Sequence, residues 1–194
     1  MLNERKIHKF WNWFHEHVSE IANLLDAGKS DALAHAFRPQ IDRLHPDLDW
    51  EVGPGKSKGY MLTISSKSNR KLRQETERIV ASAPQDLDWE FYASIQPRAP
   101  HREVKVRHQG QTLRINTEGW RFFSEEDPGR GKIHIVIVDK QLPLLPKEAA
   151  FHAVFIMLDA LLGEDIVEQW IGAIEVGKAD DSYETLRPIQ ELPG

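Results

Sequence analysis

The pentapeptide DLDWE occurs twice, at Asp47 to Glu51 and at Asp86 to Glu90, each time after a segment with helical spacing. On an extended chain alternate residues share a face, so Asp49 and Glu51 lie opposite Trp50, and Asp88 and Glu90 lie opposite Trp89. Were the two strands neighbours, four carboxylates would meet on one sheet face. That is the donor set of a hard-cation site or of an acid/base pair for metal-assisted hydrolysis. The competing reading is a strand entry used twice. Asp side chains suit the turn that leaves a helix, Leu and Trp point to the core, and the acids meet water. Like charges facing one another across a sheet also repel unless a cation sits among them. The second reading is preferred, with Asp49, Glu51, Asp88 and Glu90 kept as the catalytic candidates, no metal assigned and no cofactor expected.

Other chemistry is thinner. GPGKS at Gly53 lacks the first glycine of a phosphate loop and is followed by a strand pattern rather than a helix, and neither a nucleophile elbow nor a dinucleotide fingerprint is present. His15, Glu16 and His17 evoke a zinc helix, but histidines two apart point in nearly opposite directions, and His8 lies two turns from His15. His134 in an apolar strand pattern and His152 in an apolar helix pattern, with Glu148 and Asp159 at helical spacing, read as structural histidines that must find partners. A basic run, Arg98, Arg102, Lys105, Arg107 and Arg114, faces a single acid, Glu103, and forms the candidate binding segment for a polyanion or an acidic partner surface. Its alternation also suits a strand edge guarded by charge, and its few aromatics speak against stacking on single-stranded nucleic acid.

The elements that must position these residues follow from periodicity. Ile7, Phe10, Trp11, Phe14, Val18, Ile21, Ala22 and Leu25 make one helical stripe that Gly28 stops. Ser30 is the expected N-cap of a second helix through Leu33, Phe37, Ile41 and Leu44, kinked or shortened by Pro39. Leu48 to Val52 and Tyr60 to Ser65 form a hairpin around the GPGKSKG turn, and SNRKLRQETERIVASAP is an amphipathic helix. The second DLDWE opens a strand running to Gln96, and a crossover from Tyr60 to Trp89 makes those two strands parallel. Beyond QPRAPH come strands at Glu103 to His108 and Thr112 to Asn116 about the Gln109-Gly110 turn, then Trp120 to Phe123 and the central strand KIHIVIVD. KEAAFHAVFIMLDALLG is a helix ended by Gly163. Asp165 to Val176 reads as another, with Ile166, Trp170, Ile171 and Ile174 inward.

Together these predict an α+β fold: a mixed, mostly antiparallel sheet of five to seven strands with helices packed mainly on one face. They also predict a single domain over residues 1–177 and a loosely held tail over 178–194. The chain has 194 residues, enough to bury a core without staples, and no cysteine, which removes disulfides, thiolate metal ligands and cysteine nucleophiles. With 25 Lys and Arg against 30 Asp and Glu the net charge is -5, which disfavours general nucleic-acid binding. MLNERKIHKFWNWF has no secretory h-region and no run spans a membrane, so the expectation is a cytoplasmic protein without a membrane partner.

In their order, FWNWF, WEVGPG, ASAP, DWEFYASIQPR and LDALLGE resemble a family of uncharacterised bacterial proteins. That resemblance implies no activity and no site residue. The function expected from the residues is a non-catalytic intracellular module of regulatory or immunity type that contacts a protein partner. The alternatives are the metal-assisted hydrolase built on the four acids and the polyanion binder built on residues 98–114.

Overall fold

A computed structural model of the chain describes residues 2–67, 69–179 and 186–192. It is α+β, and its strands form three sheets of three, two and four strands rather than the one sheet of five to seven expected. The chain divides into two compact units, Met1–Ile95 and Gln96–Gly194, each with its own apolar core. The single sheet fails where the second DLDWE strand ends early. It pairs only over Trp89–Tyr92, and the proline-rich run from Gln96 to Pro100 that follows forms no strand and cannot donate at Pro97 and Pro100.

The first unit opens with α1, Glu4–Asp26, whose Asn3 side chain caps it by accepting from the Arg5 N–H at 2.9 Å. α2, Ser30–Leu44, starts at Ser30 itself, so this serine is the first helical residue and not the cap. Pro39 does not break α2, because the fully buried Phe37 and Ile41 straddle it and the proline itself is exposed. β1 (Asp49–Pro54) pairs antiparallel with β2 (Tyr60–Ser65), and β2 pairs parallel with β3 (Trp89–Tyr92) through α3 (Arg70–Ala81), as the crossover predicts. All three helices share one core with Leu62, Ile64 and Trp89. Rings lock it: Trp50 stacks on Phe37 at 4.5 Å, Trp89 meets Phe14 edge-on at 5.0 Å, and the Trp11 Nε1–H donates to the Ile79 carbonyl at 2.8 Å.

The second unit begins with a hairpin, β4 (Glu103–His108) and β5 (Gln111–Asn116). Its two-residue turn puts Gln109 at φ 47° and Gly110 at φ 80°, the doubly left-handed turn that matches strand twist. β6 (Arg121–Asp127) and β7 (Lys132–Asp139) follow, and then α4 (Lys147–Leu162), α5 (Glu164–Trp170) and β8 (Ile171–Lys178). The four-stranded sheet has the order β8-β7-β6-β9, with β9 only Arg187–Pro188. KIHIVIVD is thus interior to its sheet, as expected. α4 shares one core with Val104, Val106 and Ile115 of the hairpin and Phe122, Ile135 and Ile137 of the larger sheet.

The helix expected over Asp165 to Val176 ends at Trp170, and 171–176 fall in a strand instead. That strand, β8, runs parallel to β7, and Ile166 and Trp170 are exposed at 38% and 43% rather than inward. The β-branched Ile171, Ile174 and Val176 favour an extended chain once β7 is there to pair with them. Of the stretch expected to be a loose tail, 180–185 and 193–194 lie outside the described residues. Within the described part of that stretch Ile189 is fully buried in the second core. Among the described residues no helix is long and apolar enough to cross a membrane.

Candidate functional site

β2 lies between the two strands that carry DLDWE. At the usual strand spacing this sets β1 and β3 about 10 Å apart. Asp49, Glu51 and Glu90 do share the face opposite the tryptophans, but not a row. Glu51 is level with Thr63 and Tyr92, whereas Glu90 is level with Met61 and Gly53. Each acid also has its own surroundings. Asp49 lies 3.1 Å from Lys67 Nζ, and Asp88 precedes β3 with its carboxylate against Gly59, where a Cβ would come within 2.6 Å of it. Among the described residues no three His, Asp or Glu side chains gather as a metal set.

Glu90 is the best-held acid. The loop between β1 and β2 wraps its carboxylate: the Lys56 N–H donates at 2.8 Å, the Ser57 N–H and hydroxyl both at 2.5 Å, and the Lys58 N–H at 3.0 Å. The Tyr92 hydroxyl adds a bond at 2.9 Å. These donors, led by the Ser57 hydroxyl, hold the carboxyl far below the ordinary glutamate range. Burial, and then the bond to Glu90, raises the Tyr92 phenol. GPGKS is therefore an oxyanion cradle after all, filled by this chain's own side chain. The sequence could not show this, because the occupant lies in another strand.

The basic segment splits. Lys105, Arg107 and Arg114 lie on the exposed face of the hairpin, with Lys105 and Arg114 directly opposite one another. Arg114 is relieved by Glu103 at 3.2 Å, and Arg102, 89% exposed, reaches Glu118 at 3.7 Å. Arg98 stands apart from that face. It is half-buried, and its N–H donates to the Ala160 carbonyl at the end of α4 at 2.7 Å.

The histidines find local partners. His17 Nδ1 is 2.8 Å from the Trp13 carbonyl, and His15 is 3.5 Å from Asp86. His134 Nε2 lies 3.2 Å from a carboxylate oxygen of Glu175 in β8, without the alignment of a hydrogen bond. His152 is exposed, so it is no buried structural histidine.

A helix over 165–176 would have left no edge strand here. β8 is the outermost strand of its sheet over eight residues, and no described residue hydrogen-bonds its outer edge. Beside it is a hollow of about 330 Å³ lined by Leu142, Leu145, Phe151 and Val176, with Lys147 and Glu175 also in its wall. The visible signal was the alternation Ile174, Val176 between Gly172 and Gly177. No protein-family model matches the chain, nor does any curated protein or solved structure.

Proposed function

We propose that the chain is a non-catalytic interaction module, of regulatory or immunity type, that binds a protein partner by accepting an extended segment along β8. The observation that carries this reading is the outer edge of β8, to which no described residue hydrogen-bonds. A long edge strand presents unpaired N–H and C=O groups, and proteins ordinarily blunt such edges with charge, proline, bulges or cover. β8 carries charge only at Glu175 and Lys178 and no proline; its register with β7 shifts once, at Gly172 opposite Ile133 and His134, which leaves Ala173–Lys178 as the regular edge, kept slim by Ala173 and Gly177. An added strand supplies main-chain hydrogen bonds, and the adjoining hollow selects an apolar side chain.

A displayed library of eight-residue peptides tests it. Selected peptides should slow amide exchange in β8 and lose binding when alternate peptide nitrogens are methylated. Binders that tolerate methylation at every position, or that protect amides elsewhere, would count against the reading.

A second reading rests on Lys105, Arg107 and Arg114 sharing one exposed face: the hairpin takes a polyanion. Retention on heparin should then fall with salt and be lost in Arg102→Ala with Arg107→Ala. Retention indifferent to salt discards it.

A further inference from the structure

The first unit contains a hollow of about 570 Å³ between α1 and α2, lined by Lys6, Lys9, Phe10 and Trp13 from one helix and Gln40, Asp42 and Arg43 from the other. The volume is that of a small-molecule site. Its lining divides by chemistry. Phe10 is buried, and Trp13 is half-buried with its ring braced by Phe10 at 5.9 Å, by His17 stacked at 5.5 Å, and by Phe37 edge-on at 5.3 Å. So braced, the indole cannot collapse into the space beside it. Its N–H donates to no described residue.

The charges run against the trend of the chain, whose net charge is -5. Lys6 and Lys9, three apart and so on one side of α1, are exposed and make no ion pair among the described residues. Arg43 is aimed by Gln40, which accepts from its guanidinium at 2.8 Å, an arrangement that orients the cation without neutralising it. The one acid present, Asp42, is already engaged by Arg38 at 2.9 Å. Three cations thus converge on a hollow that offers a fixed aromatic ring and a single, already compensated carboxylate.

We infer that this hollow binds a small anionic aromatic ligand, with the ring against Trp13 and Phe10 and a phosphate or carboxylate held by Lys6, Lys9 and Arg43. Aromatic stacking and charge-assisted bonds would act on opposite ends of one molecule, so neither a bare anion nor a neutral ring satisfies the site. It is independent of the β8 edge, which belongs to the other unit.

Titration of the full chain with 1-naphthyl phosphate, 1-naphthoate, adenosine 5′-monophosphate and inorganic phosphate tests the inference, read by the indole N–H resonances of the protein. One resonance, assigned by its loss in Trp13→Phe, should shift saturably with at least one aromatic anion. Which aromatic anion binds best separates phosphate from carboxylate and nucleotide from simple ring. Lys6→Gln with Lys9→Gln removes two exposed cations outside the core, and its melting curve should match that of the parent. It should raise Kd at least about tenfold, the size expected for losing charge-assisted contacts. Three results overturn the inference: no saturable shift with any aromatic anion, an affinity unchanged in the double variant, or inorganic phosphate binding as tightly as its naphthyl ester.

Discussion

β1 and β3 start from the same five residues and end in different surroundings. β1 runs six residues antiparallel to β2 at the sheet edge, with Trp50 half-buried on Phe37 and Asp49 beside Lys67. β3 runs four residues parallel to β2, with Trp89 only 3% exposed between Phe14 and Tyr60, and Glu90 enclosed by the 56–58 loop. Identical side chains therefore do different work. The acids that are held are not matched ones: Asp49, third in its copy, lies in a surface ion pair, whereas Glu90, fifth in its copy, organises a loop. What separates them is the crossover through α3, which brings β3 alongside the start of β2 and so under the loop.

The widest gap between the copies should be in their tryptophans. Trp89→Ala removes a buried ring with aromatic contacts on two sides and should cost about 3–5 kcal/mol. Trp50→Ala removes a ring that is partly wet and should cost about 2 kcal/mol. Urea unfolding followed by circular dichroism, at equal slope, measures both. Equal losses would mean that the shared motif, and not its setting, decides the energetics.

Elements with a strong local period could be read from the chain. The stripe Ile7 to Leu25, the Gly stops after α1 and α4, the Gln109-Gly110 turn and the apolar run of β7 all appear where their chemistry puts them. What failed was information held elsewhere in the chain. Ile166, Trp170, Ile171 and Ile174 satisfy a helical spacing, and only β7, more than thirty residues earlier, makes 171–178 a strand. The cradle around Glu90 is legible as a glycine loop and as a strand acid separately, but not as a pair. Lys6, Lys9 and Trp13, with Gln40 and Arg43, have the spacing of two facing helix ridges, so the hollow between α1 and α2 had a signal that charge and aromatic periodicity could have found. The separation of the first sheet from the rest depends on where β3 stops, and its alternation past Tyr92 gave no sign of that.

The acids provide the next contrast, and pH separates them. Glu90 has its carboxyl held down in the folded state, whereas an unfolded glutamate titrates near about 4.3. A depressed folded value means the unfolded chain binds the proton first, so the stabilisation is complete above that range and is lost as pH falls through the folded value. Glu90→Gln should therefore lower the melting temperature most near neutral pH, and the gap to the parent should narrow steadily under acid. A gap independent of pH would show that the loop needs the shape of the side chain and not its charge.

Asp49→Asn should have the smallest effect, and its smallness is what gives the comparison content. Asp49 and Lys67 are both largely in water, where an ion pair contributes about 0.2–1 kcal/mol and salt screens it. Arg38 also approaches Asp49, at 4.0 Å, but it is anchored independently by Asp42 at 2.9 Å and by donating to the Leu48 carbonyl at 3.0 Å, so it keeps its place when Asp49 is neutralised. A double-mutant cycle with Lys67→Gln should then give a coupling below about 1 kcal/mol that fades in concentrated salt. A larger coupling that survived salt would show that Asp49 is held firmly by its neighbours, as Glu90 is by its hydrogen bonds, and not merely screened by water. The contrast between a screened acid in the first copy and a firmly held one in the second would then fail.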